Sequence, residues 1–319
     1  MDNQNQTTIV TSFVLLGFSY NPTMQVFLFL IFSFMYVITV LGNTMIVMVI
    51  KGSSNLHSPM YFFLSHLAFL DICFSSVTVP KLLLIFSLSH AISYNGCLTQ
   101  MFFIILTAGS EAYLLAAMAY DRFVAICKPL HYVQIMSTSF CRWLVVGAWT
   151  IGFGYAMVNT LPVLKLSFCG SNIIRHFSCE FPSVLALSCT DTFLNAMTLL
   201  TTGGAVGASS FFIILLSYIR IISTILKMHS AEAKRKTFST CSSHLIVVIL
   251  YYGSGLFRYM RPKTASSAIM DTLFSIQYSI STPMLNPIIY SFKTREVKEA
   301  IKKLMRCKPL ISPTNAVLY

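Results

Sequence analysis

Charge is scarce in this chain. Charged residues fill 10% of its 319 positions, against about 25% in an average soluble domain, while hydrophobic residues fill 55%. A bundle of that composition would expose too little charge to stay dissolved in water, so lipid is the expected solvent. A basic domain is missing too. The formal net charge is +12, but the cations sit in short loops between apolar runs, and that distribution excludes nucleic acid as a partner. No internal repeat of the kind many transporters carry is evident. The first apolar run has no basic residue before it and is too long for a secretory signal, so it reads as an uncleaved span that sends the N-terminus outward.

What the chain does have is seven apolar runs, at roughly 24–50, 58–80, 98–120, 143–163, 195–226, 237–257 and 271–292. Each is about 20 residues or longer, enough to cross about 30 Å of hydrocarbon as a helix. Lipid cannot satisfy open backbone groups, so the spans must be helices rather than open sheet. The expected fold is an all-α membrane protein, a seven-transmembrane helix bundle with a short amphipathic cytosolic helix. A tail over 1–23 would be extracellular, the bundle would occupy 24–292, and 293–319 would be cytosolic. With the N-terminus outside, sixteen lysines and arginines fall on the cytosolic side, among them Lys51, Arg122, Arg220 and Lys234 to Lys236. Six fall outside: Lys81, Lys165, Arg175, Arg258, Arg261 and Lys263. That asymmetry is the positive-inside pattern.

Two further signals agree with this orientation. Asn5-Gln6-Thr7 is a glycosylation sequon, useful only on the luminal side. Cys97, Cys169, Cys179 and Cys189 fall on the outer side, where disulfides persist, whereas Cys127, Cys141, Cys241 and Cys307 lie at cytosolic ends. Four outer cysteines allow three pairings. Cys97 opens the third helix, so a bond from it would pin the 163–194 loop over the bundle mouth as a lid. Metal-ligand spacing is absent from the set.

Ionisable residues inside a membrane helix are expensive and mark function by default. Asp71 on the second span and Glu111 on the third both lie about mid-depth. One reading is a cation site, with sodium the candidate ion, shared with Asn43 and Ser110. Another is a catalytic carboxylate pair, and a third is a buried, partly protonated pair that only holds helices together. Asp121-Arg122 ends the third span, on the same face as the basic third loop and the 293–308 segment. Val297, Ala300, Ile301 and Leu304 follow helical spacing there, which predicts an amphipathic helix on the inner leaflet, with Cys307 beside it a candidate for palmitoylation.

Several of these residues carry a family resemblance. Met118-Ala-Tyr-Asp-Arg-Phe-Val-Ala-Ile-Cys127 resembles the signature of odorant receptors, a branch of the rhodopsin-like G-protein-coupled receptors. So do Pro59-Met-Tyr-Phe-Phe-Leu64, Ser217-Tyr218, Lys236-Thr-Phe-Ser-Thr-Cys-Ser-Ser-His244, Pro283-Met-Leu-Asn-Pro-Ile-Ile-Tyr290 and Phe13-Val-Leu-Leu-Gly-Phe18. The likeness spans nearly the whole chain. Phe123, where the family usually has Tyr, and Tyr251, where Phe is common, are small departures. The fifth span lacks the proline of the wider class, as odorant receptors generally do.

The resemblance implies roles. Asp121 and Arg122 would form an ionic lock, and Arg122 and Tyr218 would rearrange as the sixth helix swings outward. His244 would sit in the cytosolic half of the switch, and Asn286, Pro287 and Tyr290 would form its seventh-helix part. The implied disulfides are Cys97–Cys179 and Cys169–Cys189, with Cys97–Cys189 the main alternative. The implied partner is the olfactory stimulatory G protein, which raises cyclic AMP, and the implied place is the plasma membrane of an olfactory sensory neuron.

The short N-terminal tail leaves the bundle to take the ligand. Helical spacing puts Met101, Ile104, Ile105 and Ala108 on one face of the third span and Thr202 and Val206 on one face of the fifth. Tyr252, Gly255, Leu256 and Tyr259 share a face of the sixth, and Ile276 and Ser279 a face of the seventh. This lining is apolar with a few hydroxyls, which suits a small neutral ligand. Amine-binding relatives carry aspartate where Ile104 stands, so an ammonium would go unpaired. The outer cations Arg258, Arg261 and Lys263 keep open a rhodopsin-like receptor for a carboxylic acid metabolite. A transporter would want a continuous polar path, and an intramembrane protease a Gly-x-Gly-Asp motif or a Ser/His pair at matching depth. Neither is present, so the chain is not expected to be an enzyme.

Overall fold

The structure is a computed structural model that describes residues 10–17, 21–87, 89–169, 171–259, 267–293, 297 and 299–302. At 54, 236, 257–259, 267–271 and 291–293 it describes the backbone alone. Helix α1 (Pro22–Gly52) starts where the Asn21 side chain accepts from the Met24 amide at 2.9 Å, with Pro22 in the first turn. Helix α2 (Pro59–Phe86) also starts on a proline, and α3 (Tyr94–Cys127) on Ser93, whose hydroxyl accepts from Gly96. A short α4 (Tyr132–Ile135) leads into α5 (Thr138–Thr160), and α6 (Phe181–Leu185) lies in the following loop. Helices α7 (Phe193–Lys227) and α8 (Ala231–Tyr259) come next. The last span is broken: α9 (Ser267–Ile276), a π-helical turn (Gln277–Ser281) and α10 (Thr282–Lys293) run end to end.

Among the described residues, α1, α2, α3, α5 and α7 are long and apolar enough to cross a membrane on length and composition. Helix α8 and the broken α9–α10 complete the seven-helix bundle. Helix α3 is its axis, and its most apolar stretch is largely buried, whereas few residues in that of α1 are buried. An exposed row on α7, including Phe212, Leu216, Ile219 and Leu226, has the character of a lipid-facing stripe. The close α3–α5 approach depends on Gly152. A Cβ there would collide with Ser110 Oγ and lie 2.6 Å from the Leu106 carbonyl oxygen.

Two findings depart from the sequence reading. The tail ahead of α1, expected only as a short extracellular segment, carries a strand. Strand β1 (Ser12–Leu15) pairs antiparallel with β2 (Ala91–Ser93) and parallel with β3 (Ile173–Ile174), in the order β2-β1-β3. Phe13 and Leu15 are wholly buried in the cluster that also holds Cys97 and Cys179. The seventh span is also not one regular helix. The π turn stands between Ile276 and Thr282, so the simple helical face expected for Ile276 and Ser279 does not hold across it.

At the other end, Val297 is buried and Ala300 and Ile301 pack against the core cluster opposite the lid, while Glu299 is exposed. The apolar face expected to lie on the leaflet is therefore turned at least partly onto the bundle. Leu304 lies outside the described residues.

Candidate functional site

The outer mouth is closed by a lid that disulfides and hydrogen bonds tie down. Cys97 bonds to Cys179, with Cα atoms 5.4 Å apart, and Cys169 bonds to Cys189 within the loop. These are the two pairings that the resemblance implies. Gln100 of α3 adds a clasp that the sequence reading missed: its carbonyl oxygen accepts from the Cys179 amide at 2.9 Å, and its amide donates to the Val77 carbonyl at 2.9 Å. From the same loop, Glu180 accepts a hydrogen bond from the Ser275 hydroxyl of α9 at 2.8 Å and lies 3.7 Å from His176 Nε2.

Below the lid, Met101 and Ile105 are buried and Ile104 and Ala108 half-buried. The Tyr251 hydroxyl donates to the Ala108 carbonyl at 2.7 Å, and the Tyr252 hydroxyl donates to Ser210 Oγ at 2.8 Å. Tyr251 joins α8 to α3 and Tyr252 joins α8 to α7. Ring contacts then run across the bundle: Phe74 to Tyr278 at 5.0 Å, Tyr278 to Tyr251 at 5.8 Å, Tyr251 to Tyr252 at 5.0 Å and Tyr252 to Phe211 at 5.3 Å. An aromatic layer therefore crosses from α2 to α7 between the lid and the cytosolic core.

The other expected pocket residues scatter. Thr202 faces α5, where its hydroxyl oxygen accepts from Asn159 at 3.0 Å while its hydrogen goes to the Thr198 carbonyl. Val206 is half-buried beside it on α7, and its carbonyl accepts from Ser210. Ser279 is buried, and its hydroxyl donates to the Ser275 carbonyl. Ile276 is half-buried, and Gly255 has open space where a Cβ would stand. Leu256 is 60% exposed. The side chains of Tyr259 and Arg258, along with Arg261, Lys263, Asn5 and Cys307, lie outside the described residues.

In the middle of the bundle, Asp71 and Glu111 are both buried, and Asn286 donates to Asp71 Oδ2 at 2.9 Å. Asn43 donates to the carbonyls of Thr39 and Pro283. Among the described residues, Asn43 Oδ1, Asn286 Oδ1 and Glu111 Oε1 are buried oxygens without a hydrogen-bond partner, a donor set of the kind that suits a hard cation. Ser110 Oγ is likewise buried without a hydrogen-bond partner, but it departs from the expected grouping by lying against Gly152 of α5, where a Cβ would collide with it. Adjacent residues on a helix point about 100° apart, so Ser110 and Glu111 serve different interfaces.

The half of the bundle opposite the lid carries a chain of polar contacts. Arg122 Nη2 lies 2.6 Å from Asp121 Oδ2, and the Tyr132 hydroxyl donates to Asp121 Oδ1 at 2.8 Å, so both carboxylate oxygens are engaged. Burial and the neighbouring Asp121 carboxylate push the Tyr132 phenol well above its ordinary pKa, which keeps it a donor. His244 Nε2 is 3.0 Å from the Leu115 carbonyl, which can only accept, so Nε2 carries the proton. Its Nδ1 must then accept from the Tyr218 hydroxyl at 2.8 Å, and the two rings stack at 5.8 Å. One neutral imidazole thus links α3, α8 and α7. Pro287 packs where a Cβ on Gly42 would stand, 3.2 Å away, and Tyr290 is wholly buried.

The comparisons with known proteins agree with this architecture. A family model described as olfactory receptor matches residues 32–308. The chain is 47% identical over 314 residues to olfactory receptor 1G1 of Gorilla gorilla gorilla, covering 98% of this chain and all of that protein. It is 49% identical over 295 residues to human olfactory receptor 8S1, covering 92% and 81%. Among solved structures, squid rhodopsin superposes with a TM-score of 0.70 at 16% identity, covering 90% of this chain and 87% of that one, a likeness of fold. With a lidded seven-helix bundle and relatives of one kind along nearly its whole length, the chain belongs to the olfactory receptor family, the odorant-detecting rhodopsin-like G-protein-coupled receptors of the plasma membrane, and is a signalling receptor, not an enzyme.

Proposed function

We propose that this receptor detects a small neutral volatile in the outer half of the bundle, above the aromatic layer, and activates a stimulatory G protein to raise cyclic AMP. The observation that carries the reading is the Tyr251–Tyr252 shelf. Its two hydroxyls bond to α3 and α7, so a ligand resting on it presses on the helix that bears His244. The N-terminus would face outward, with Asn5 glycosylated and Cys307 palmitoylated, in an olfactory sensory neuron.

Ligand charge follows from the surroundings. A buried, unpaired ion costs several kcal/mol, and Ile104 offers an ammonium no partner. A carboxylate would meet Glu180, already placed at the lid. A neutral ligand with one oxygen needs only one hydrogen bond, net about 0.5–1.5 kcal/mol, with apolar burial supplying the rest. The Asp71–Glu111 pair, with Asn43 and Asn286, would hold a sodium ion, a charge that would neutralise the buried carboxylates. Dose–response curves for cyclic AMP against alcohols, aldehydes, ketones, amines and carboxylic acids test the proposal. Neutral oxygenated compounds should be the agonists, and a strong preference for amines or acids would overturn the neutral pocket.

A further inference from the structure

A groove of about 540 Å³ opens at the cytosolic end of α1, α2 and α5, within the size range of small-molecule sites, about 300–1,000 Å³. None of its lining residues belongs to the switch or to the lidded outer half. One end is basic. Lys51 in the last turn of α1, His57 after it and His66 on α2 face the same space, with Ser65 beside them and no acidic residue in the lining. Among the described residues Lys51 makes no ion pair. The other end is apolar: Phe69 is 49% exposed and its ring stands 6.1 Å from that of Trp149.

We propose that this groove is a binding site for an anionic phospholipid of the inner leaflet. The headgroup lies against Lys51, His57 and His66, and an acyl chain runs along Phe69 and Trp149. The arrangement follows the bilayer's own order. Lys51 ends a membrane-spanning helix at headgroup depth, where basic side chains attract anionic lipid, and the aromatic wall begins about three helical turns into α2. A soluble anion would use the basic end alone and leave the aromatic wall without a partner. A neutral phospholipid would fill the wall but gain little from the Lys51 ammonium, which has no carboxylate beside it in the lining. The inner-leaflet assignment rests on the orientation proposed above. The site itself does not.

Trp149 supplies the probe, because the chain has only two tryptophans and the other, Trp143, is 71% exposed. In full-length Trp143→Phe receptor reconstituted in nanodiscs, Trp149 fluorescence should be quenched at least about twofold more by bromo-acyl phosphatidylserine than by bromo-acyl phosphatidylcholine at equal mole fraction. Lys51→Gln should remove most of the serine-lipid preference, bringing quenching by the two lipids close to equal, because one basic residue at an anionic surface contributes about 1 kcal/mol. Both leaflets of a nanodisc carry the probe, so the result does not depend on which face is cytosolic. Equal quenching by the two lipids would overturn the proposal. So would a preference that survives the combined Lys51→Gln, His57→Gln and His66→Gln receptor in monodisperse form, or displacement of both lipids alike by cholesterol.

Discussion

Replacing His244 by phenylalanine should raise basal signalling. The imidazole donates to the Leu115 carbonyl at 3.0 Å and accepts from Tyr218 at 2.8 Å, so it ties α8 to α3 and α7 at once. A buried neutral hydrogen bond contributes about 0.5–1.5 kcal/mol net, so two of them hold the resting arrangement by about 1–3 kcal/mol. Outward movement of α8 must break both. Phenylalanine keeps the ring stacked on Tyr218 and removes only the bonds. Tyr218 retains a second acceptor, the Cys241 carbonyl at 3.4 Å, which limits the cost of stranding its hydroxyl. A shift of about 1–3 kcal/mol in a two-state equilibrium is about 5- to 150-fold, so a resting receptor that is rarely active should become visibly active without ligand. The assay is cyclic AMP without ligand, normalised to surface receptor. A variant that reaches the surface in normal amount with wild-type basal signal would show that these two bonds persist in the active state or do not hold the resting one.

Three other perturbations test separate parts of the account. Gly152→Ala should lower the receptor's melting temperature in detergent, because the added Cβ meets Ser110 and the Leu106 carbonyl, and overpacking of this kind costs about 1–3 kcal/mol. Melting unchanged would mean that α3 and α5 do not approach so closely. Cys97→Ser should cut surface expression more than Cys169→Ser, since of the two disulfides Cys97–Cys179 is the one that ties the lid to α3; equal losses would refute that ranking. Tyr259→Phe should weaken oxygenated agonists by roughly threefold to tenfold and leave hydrocarbon agonists unchanged if its hydroxyl bonds the ligand. Unchanged curves for all agonists would assign Tyr259 to the interfacial aromatic belt.

The parts of this molecule that are readable in its sequence are those written in long-range averages. Seven apolar runs are visible because about twenty residues of lipid contact leave a composition signal. Asp71, Glu111 and Asp121-Arg122 stand out because charge is rare in such helices. The β sheet is invisible there, since strands as short as Ala91–Ser93 show no pattern, and pairing with Ser12–Leu15 depends on how distant loops fold. Ser110 is misplaced by sequence for a related reason. Helical spacing assigns a face but not the seam at which it stops being buried. Gln100, Tyr132, Tyr251 and Tyr278 escape notice as site residues because nothing in a hydroxyl or amide states its partner, and their roles arise only from the carbonyls, carboxylates and rings that the fold brings within reach. The π turn likewise follows no composition rule available to a single sequence.

Coupling through Arg122 is the most direct test of the whole reading. Arg122 is partly exposed at the end of α3 opposite the lid, and its ion pair among the described residues is with its neighbour Asp121, so removing it should spare the fold while removing the group that we propose contacts the G protein. Wild-type and Arg122→Ala receptors, expressed at matched surface levels and exposed to an oxygenated volatile that activates the wild type, should differ completely: a dose-dependent rise in cyclic AMP for one and none for the other. Equal responses from both, or a ligand response with no change in cyclic AMP, would contradict the account.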